Sequence, residues 1–208
     1  MRIPRHFLRD PRAALAGILL AAAWSMAAPA TLPTGEPIKV ALDPAKSKVE
    51  FNLGATLHTV HGSFQLKRGN VEFDPVTGKV AGEVVVDAAS GDSGSKARDR
   101  RMHNDVLQTP RFPEISFRAS RVEGRVNPQG HSQVQIAGVF HLCGADHELT
   151  APAEVEIEGN HVSGTVHFQV PYVDWGLKNP STLFLRVDRE VNIELHLDGT
   201  LMAGANHP

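Results

Sequence analysis

In the stretch 134–142, VQIAGVFHL, every second residue from Val134 to Leu142 is apolar except for one glycine, Gly138. The stretches 162–170 (VSGTVHFQV) and 80–86 (VAGEVVV) repeat this arrangement. Such alternation predicts β-strands with one buried face. A glycine in the middle of a buried face weakens a strand, so it marks either a bend or room for a group that is not protein.

Further alternating segments surround these three at the spacing of β-hairpins, and only 96–108 has the pattern of a helix. The turns between them carry suitable chemistry, as in DPVTG at 74–78 and NPQG at 127–130. The predicted strands are 38–42, 48–55, 60–66, 71–73, 79–88, 114–120, 121–127, 132–142, 147–158, 161–170 and 187–197.

At least eight strands in one domain predict an all-β fold, either an antiparallel sandwich or a closed barrel. The mid-strand glycines favour the barrel, because barrel strands must bend and a barrel of about eight strands can hold one slender ligand. We therefore expect an antiparallel β-barrel of about eight strands, with one short helix inserted after the fourth or fifth strand.

The first 30 residues are predicted to be a secretory signal peptide. Four arginines precede a short apolar run at 13–23, and small residues around 27–30 suit cleavage. We expect a loose leader at 31–37, the barrel domain at 38–199 and a disordered tail at 200–208. The protein is then periplasmic or secreted.

Composition limits the partners of the exported chain. The full chain has a formal net charge of −2, and the predicted signal peptide removes four arginines but only one acidic residue. The mildly acidic remainder has no basic cluster, which argues against nucleic-acid binding. Cys143 is the only cysteine, so the chain has no internal disulfide and depends on packing for its stability.

Several stretches, in order and spacing, resemble the YceI-like family of exported proteins. They are SKVEF at 47–51, VHGSF at 60–64, GNVEFD at 69–74, RD at 98–99 with MH at 102–103, RFPEISF at 111–117 and IAGVFHLCG at 136–144. This resemblance implies a lipocalin-like barrel with an elongated apolar cavity that binds a polyisoprenoid, or another long amphipathic lipid such as a quinone precursor. Members of this family often occur as dimers, so the resemblance also makes a homodimer a candidate assembly.

Inward positions of the predicted strands are the candidates for a lipid-binding lumen. Without the resemblance, the same residues could simply pack against one another. They are Phe51, Leu53, Phe64, Val84, Val86, Phe117, Ile136, Phe140, Val166, Phe168, Ile193 and Leu195.

Arg98, Asp99 and His103 on the predicted helix are candidates for holding a polar head group at the cavity rim, because guanidinium groups bind phosphate oxygens in bidentate fashion. A solvated helix face with an ordinary ion pair explains them equally well. Trp175 is expected either to cover the opening or, by preference, to plug one end of the barrel as core.

Two other functions are kept open. Asp99 with His103 could orient an imidazole in an envelope enzyme that acts on small amphipathic substrates, but no nucleophile motif accompanies them. A filled barrel could instead be a stress or adaptor protein that binds an envelope protein through a strand edge. We predict no catalytic residues, no metal site and no cofactor other than a bound lipid.

Overall fold

The computed structural model describes residues 37–202, so the predicted signal peptide, nearly all of the leader and residues 203–208 lie outside the described part. Short helical structure follows the fourth strand: α1 (Lys96–Arg101) continues into a π-helical segment (Met102–Val106). The strands are β1 (Ile38–Leu42), β2 (Lys48–Gly54), β3 (Thr59–Phe73), β4 (Val80–Asp92), β5 (Glu114–Glu123), β6 (Gly130–Leu142), β7 (Ala145–Glu158), β8 (His161–Val170) and β9 (Val191–Met202).

The strands form one closed antiparallel barrel. Closure comes from the pairing of β3 with β4, and each later strand pairs with its neighbour in sequence up to β9. β1 and β2 share a single position, because both pair with β3 and β9, β1 at one end and β2 at the other. The barrel therefore has eight strand positions, which confirms the predicted fold and places the helix after the fourth strand.

Two observed strands each join two of the predicted strands. A bulge or a turn is expected at 67–70, and β3 has the bulge: the strand continues, with a register shift between Leu66 and Arg68. β5 likewise replaces two predicted strands and has a register shift between Ala119 and Arg121. Bulges of this kind bend a strand without ending it, which a long strand needs in order to follow a barrel wall.

Strand and helix ends also move relative to the predictions. β4 continues to Asp92, into residues predicted as loop, and β9 continues to Met202, beyond the predicted domain end at 199. The predicted helix 96–108 is α-helical only to Arg101, after which Leu107 N donates to Met102 O at 2.8 Å in a π-helical pattern. No helix within 37–202 has the length and apolar character needed to cross a bilayer.

Apolar side chains inside the barrel form two clusters. Val49, Leu66 and Val86 are the buried centre of one cluster, around the middle of the barrel. The other is centred on Phe140 and Leu142, near the end of the barrel that carries α1. Phe64 packs against both clusters and so lies between them.

Most mid-strand glycines make room for neighbouring protein atoms, either a side chain or the backbone of the next strand, which corrects the expectation that they leave space for a ligand. A methyl group on Gly62 would overlap the ring of Phe51, its direct cross-strand partner. On Gly138 it would overlap the backbone oxygen of Arg118 and lie 2.6 Å from the ring of Phe117. An aromatic ring laid over a glycine on the next strand is a recurrent way to stabilise such a site. Gly164 could accept a methyl group, because its nearest neighbour atom, Glu154 O, would lie at an ordinary contact distance of 3.7 Å.

This difference predicts that the same substitution, glycine to alanine, has a large effect on stability at Gly62 and a small one at Gly164. Gly62→Ala should destabilise the protein by about 1–3 kcal/mol, because the Phe51 ring and the Asp92 carbonyl must move. Gly164→Ala is the matched control and should change the free energy of unfolding by less than about 0.5 kcal/mol. Urea denaturation measures both, and equal stability of the two variants would contradict the packing role of Gly62.

Candidate functional site

A cavity of about 590 Å³ occupies one end of the barrel interior. Its walls are inward side chains of β2, β3, β5, β6, β8 and β9. Its rim is formed by the turn after β2, the helical segment and residues 171–187. The apolar lining consists of Phe51, Leu53, Ala55, Val60, Phe64, Ala97, Met102, Val106, Leu107, Ile115, Phe140, Leu142, Val170, Leu177, Pro180, Leu185, Val187, Val191 and Ile193. Tyr172 and a few polar side chains complete it.

Aromatic rings shape the inner part of the cavity. Phe51 and Phe64 meet with ring centroids 5.4 Å apart, and Phe140 packs against Phe168 at 5.8 Å. Beyond Phe64, the cluster around Val49 and Leu66 fills the barrel. The cavity is therefore a pocket open at one end, closed below by the barrel's own core.

The segment after β8 covers part of the cavity with apolar side chains. Tyr172 and Leu177 are buried there, and the Tyr172 hydroxyl donates to the backbone oxygen of Asp188 at 2.6 Å. Burial, together with the nearby Asp188 carboxylate, raises the pKa of Tyr172 to about 12. Tyr172 therefore remains a neutral donor at physiological pH and ties the segment to the start of β9.

Trp175 packs beside this cover but does not line the cavity. Its ring stacks on His147 at a centroid distance of 4.0 Å and meets Phe140 at 5.8 Å. Trp175 is half-buried at this end of the barrel and packs against the cluster around Phe140.

Arg98 and Asp99 form a bonded junction between β4 and α1. Ser93 donates to Asp99 Oδ1 from its backbone nitrogen (2.9 Å) and its hydroxyl (2.6 Å), while Arg98 donates to Ser93 Oγ (3.0 Å) and Ser93 O (2.9 Å). Burial raises the pKa of Asp99, but the hydrogen bonds from Ser93 outweigh it, so the pKa lies below its ordinary value. Arg98 itself lines the cavity rim, together with Arg101.

Asp99 and His103 do not form a hydrogen-bonded pair among the described residues. His103 Nε2 bonds to the carbonyl of Gly91 at 2.9 Å, and its Nδ1 is buried without a partner. The arrangement needed to orient an imidazole with a carboxylate is therefore not made here. Within 37–202, no group of three or more His, Cys, Asp or Glu side chains is placed to hold a metal ion.

The structure separates the predicted lumen residues into two sets. Phe51, Leu53, Phe64, Phe140 and Ile193 line the cavity. The others lie outside its lining, in the packed interior or farther along the barrel: Val84, Val86 and Leu195 at the Val49 cluster, Phe117 and Phe168 at the Phe140 cluster, and Ile136 and Val166 in ladder pairs with Ala151 and Leu195.

Sequence reasoning missed the lining residues that lie outside the strands, such as Tyr172, Leu177 and Leu185. The available signal was their composition, because large apolar residues in an irregular segment indicate that the segment packs onto something. Arg101 also lines the rim, and this position depends on how α1 packs against the barrel.

Comparisons with known proteins agree with this architecture. The model of the YceI-like domain family matches residues 41–198. No curated protein sequence matches the chain significantly.

Solved structures with the same fold share little sequence with this chain. BcnA of Burkholderia cenocepacia has a TM-score of 0.64 and 21% identity, covering 76% of this chain and 99% of BcnA. A polyisoprenoid binding domain from Saccharophagus degradans, implicated in plant cell wall breakdown, has a TM-score of 0.60 and 13% identity, covering 78% and 98%. The YCEI protein of Campylobacter jejuni has a TM-score of 0.56 and 15% identity, covering 72% and 88%.

The Ser93 junction predicts a pH-dependent stability effect. Asp99→Ala should destabilise the protein by about 1–3 kcal/mol at pH 7, because two donors of Ser93 lose their acceptor. The lowered pKa of Asp99 means that its stabilisation is present above the ordinary value of 3.8 and is lost as the pH falls through the folded-state pKa.

Urea titrations of the wild type and Asp99→Ala, from neutral pH to about pH 2, measure this difference. The difference in free energy of unfolding between the wild type and Asp99→Ala should become smaller below about pH 4. The exposed Asp105 of the same helical segment provides a control, and Asp105→Ala should leave stability nearly unchanged. A gap that is constant with pH would contradict the role of the Asp99 carboxylate.

Proposed function

The chain belongs to the YceI-like family, and we propose that it binds a polyisoprenoid or a similar long-chain amphipathic lipid, without covalent chemistry, for carriage or storage. The observation that carries this proposal is the apolar cavity of about 590 Å³ that opens at one end of the barrel. Its size lies within the usual range for small-molecule sites. The proposal includes export, so that the protein acts in the periplasm or outside the cell.

The lining favours a slender apolar chain over a polar ligand. Strand walls offer aliphatic and aromatic surface from Phe51 to Ile193, and burial of apolar area contributes about 25 cal/mol per Å². A flexible hydrocarbon chain gains from this contact without needing directed hydrogen bonds. The Saccharophagus degradans relative, described as a polyisoprenoid binding domain, supports this ligand class.

Polar side chains near the opening suit the head group of such a lipid. Arg98 and Arg101 line the rim, with Ser93, Ser95 and His58. Arg98 is already bonded to Ser93, whereas Arg101 makes only a long bond of 3.4 Å to Pro180 O. We therefore assign the head-group contact chiefly to Arg101, because it has donors to spare.

The cavity also distinguishes this proposal from the alternatives. An adaptor with a filled core has no need of an apolar pocket, and an enzyme based on Asp99 and His103 lacks their hydrogen bond. A homodimer and an envelope protein that receives the ligand remain predictions.

Filling the cavity tests the binding site directly. Leu53→Trp and Ile193→Trp each add bulk to the cavity wall and should weaken uptake of a long prenyl alcohol about tenfold or more. Val76→Trp, in the turn between β3 and β4 at the other end of the barrel, is the control and should bind normally. Titration from a cyclodextrin carrier measures the affinities. Unchanged binding in both filled variants, or absence of lipid in extracts of protein purified from its native cells, would refute the proposal.

The head-group assignment predicts selectivity between two ligands. Arg101→Gln should weaken binding of a polyprenyl phosphate about threefold to tenfold, while leaving binding of the matching prenyl alcohol unchanged. Arg100, exposed on the same helix but outside the cavity lining, provides the control Arg100→Gln. Equal effects of the two substitutions would show that Arg101 acts only through general charge.

A further inference from the structure

A tight turn beside the cavity carries two large apolar side chains in full contact with solvent. Thr182 N donates to Leu185 O at 2.8 Å, and Leu185 N donates to Thr182 Oγ1 at 3.2 Å, so Leu183 and Phe184 occupy the centre of the turn. They are 89% and 90% exposed. Turn centres usually hold Gly, Asn, Asp, Ser or Pro, so a Leu-Phe pair there is unusual for a surface in water.

A second turn places another exposed apolar residue at the same end. Ala55 N donates to His58 O at 3.1 Å, which puts Leu57 in the centre of the turn between β2 and β3, where it is 83% exposed. Thr56 N donates to Arg186 O at 2.9 Å, and Arg186 N donates to Thr56 Oγ1 at 3.0 Å. These bonds join the two turns, and we call Leu57, Leu183 and Phe184 the apolar tip.

The apolar tip lies directly at the opening of the cavity. Ala55 and His58 on one turn, and Leu185 and Val187 on the other, line the cavity rim. An apolar path therefore leads from the tip into the cavity lining.

The two turns of the tip carry basic side chains and no acidic ones, while the Asp188 carboxylate lies beside Gly54 at their base. Residues 55–60 and 177–187 contain no Asp or Glu, while Lys178 and Arg186 lie within them and Arg101 reaches Pro180 O. The nearest acidic residue in sequence is Asp188, just after the second turn. Apolar side chains flanked by cations are typical of a surface that lies in the head-group region of an anionic bilayer.

We propose that the apolar tip docks the barrel on an anionic lipid bilayer, so that the cavity opens directly onto the membrane interface. Leu57, Leu183 and Phe184 enter the boundary between head groups and acyl chains, and Lys178, Arg186 and Arg101 face the head groups. Docking itself requires no cavity ligand, but its purpose, the exchange of an apolar chain with the bilayer, rests on the proposed function.

A bilayer fits the tip better than a second copy of the chain. Three side chains on two protruding turns offer a small convex contact, whereas a stable protein interface needs about 800 Å² per partner and a complementary surface. Two copies meeting tip to tip would also bring like charges together at Arg186 and Lys178. An anionic membrane pairs with both features at once.

Vesicle flotation tests the docking. Protein recovered from its native cells, with its N terminus read from the intact mass, is mixed with vesicles of phosphatidylcholine, with and without phosphatidylglycerol. The wild type should float with the anionic vesicles, and the double variant Leu183→Ser with Phe184→Ser should bind about tenfold less or weaker still. Val76→Ser changes an exposed apolar turn residue (71% exposed) at the other end of the barrel and should float like the wild type.

A tryptophan placed in the apolar tip reports whether the tip itself contacts the bilayer, whatever the N terminus of the protein does. In Phe184→Trp, emission should shift to the blue when anionic vesicles are added, because the ring leaves water, while Val76→Trp should show no added shift. Failure of the wild type to float, equal flotation of the double variant, or a Phe184→Trp signal that ignores vesicles would each overturn the docking.

Two further readouts separate this inference from its alternatives. Uptake of a prenyl alcohol from cyclodextrin should survive in the Leu183 and Phe184 double variant, since neither residue lines the cavity. Docking without prenyl uptake in the wild type would refute the proposed function alone. A dimer in light scattering that dissociates in the double variant would overturn the membrane proposal and assign the tip to a second copy.

Discussion

Pairing of β3 with β4 is the constraint on which the rest of the structure depends. It joins the two ends of the strand order, with Gly69 opposite Val84, Val71 opposite Gly82 and Phe73 opposite Val80. Closure removes the free edges that an open sheet would present. It also fixes which side chains face inward. The size of the cavity therefore depends on the volume of those side chains.

The interior is filled unevenly, and that unevenness creates the site. The Phe51 ring occupies the space left by Gly62, and the Arg118 backbone with the Phe117 ring occupies that left by Gly138, so these glycines do not enlarge the lumen. The cluster around Leu66 closes the barrel below Phe64. The cavity remains at the other side of Phe64, where side chains from the strands and from the rim segments surround the space without filling it.

The order of strands explains why the rim lies at one end. In an up-and-down barrel alternate connections fall on the same end, so the turn after β2, the helical connection after β4 and the long segment after β8 come together there. Within residues 37–202, the connections at the other end are shorter, such as the turn at 74–78. Cavity, arginine rim and apolar tip thus share one end because the chain's longer insertions do.

The sequence by itself determined the strands and their inward faces, since period-two alternation in stretches such as 134–142 needs only local geometry. The choice of a barrel over a sandwich came from the mid-strand glycines and from the resemblance to the YceI-like family. The sequence also predicted the helical insertion after the fourth or fifth strand, and it contains the YceI-like motifs in order. Phe51, Leu53, Phe64, Phe140 and Ile193 could be named as candidate lumen residues on that basis. Alternation says which side of a strand is inward, but not how full the inside is.

Only the tertiary structure decided which inward residues line a cavity and which pack solidly. Val86 and Phe51 have the same pattern in sequence, yet one is core and the other cavity wall, because filling depends on side chains brought together from distant strands. The same holds for Arg101, Tyr172 and the tip around Phe184. Their positions depend on how irregular segments pack onto the barrel, and such segments have no periodic sequence pattern from which this packing can be predicted.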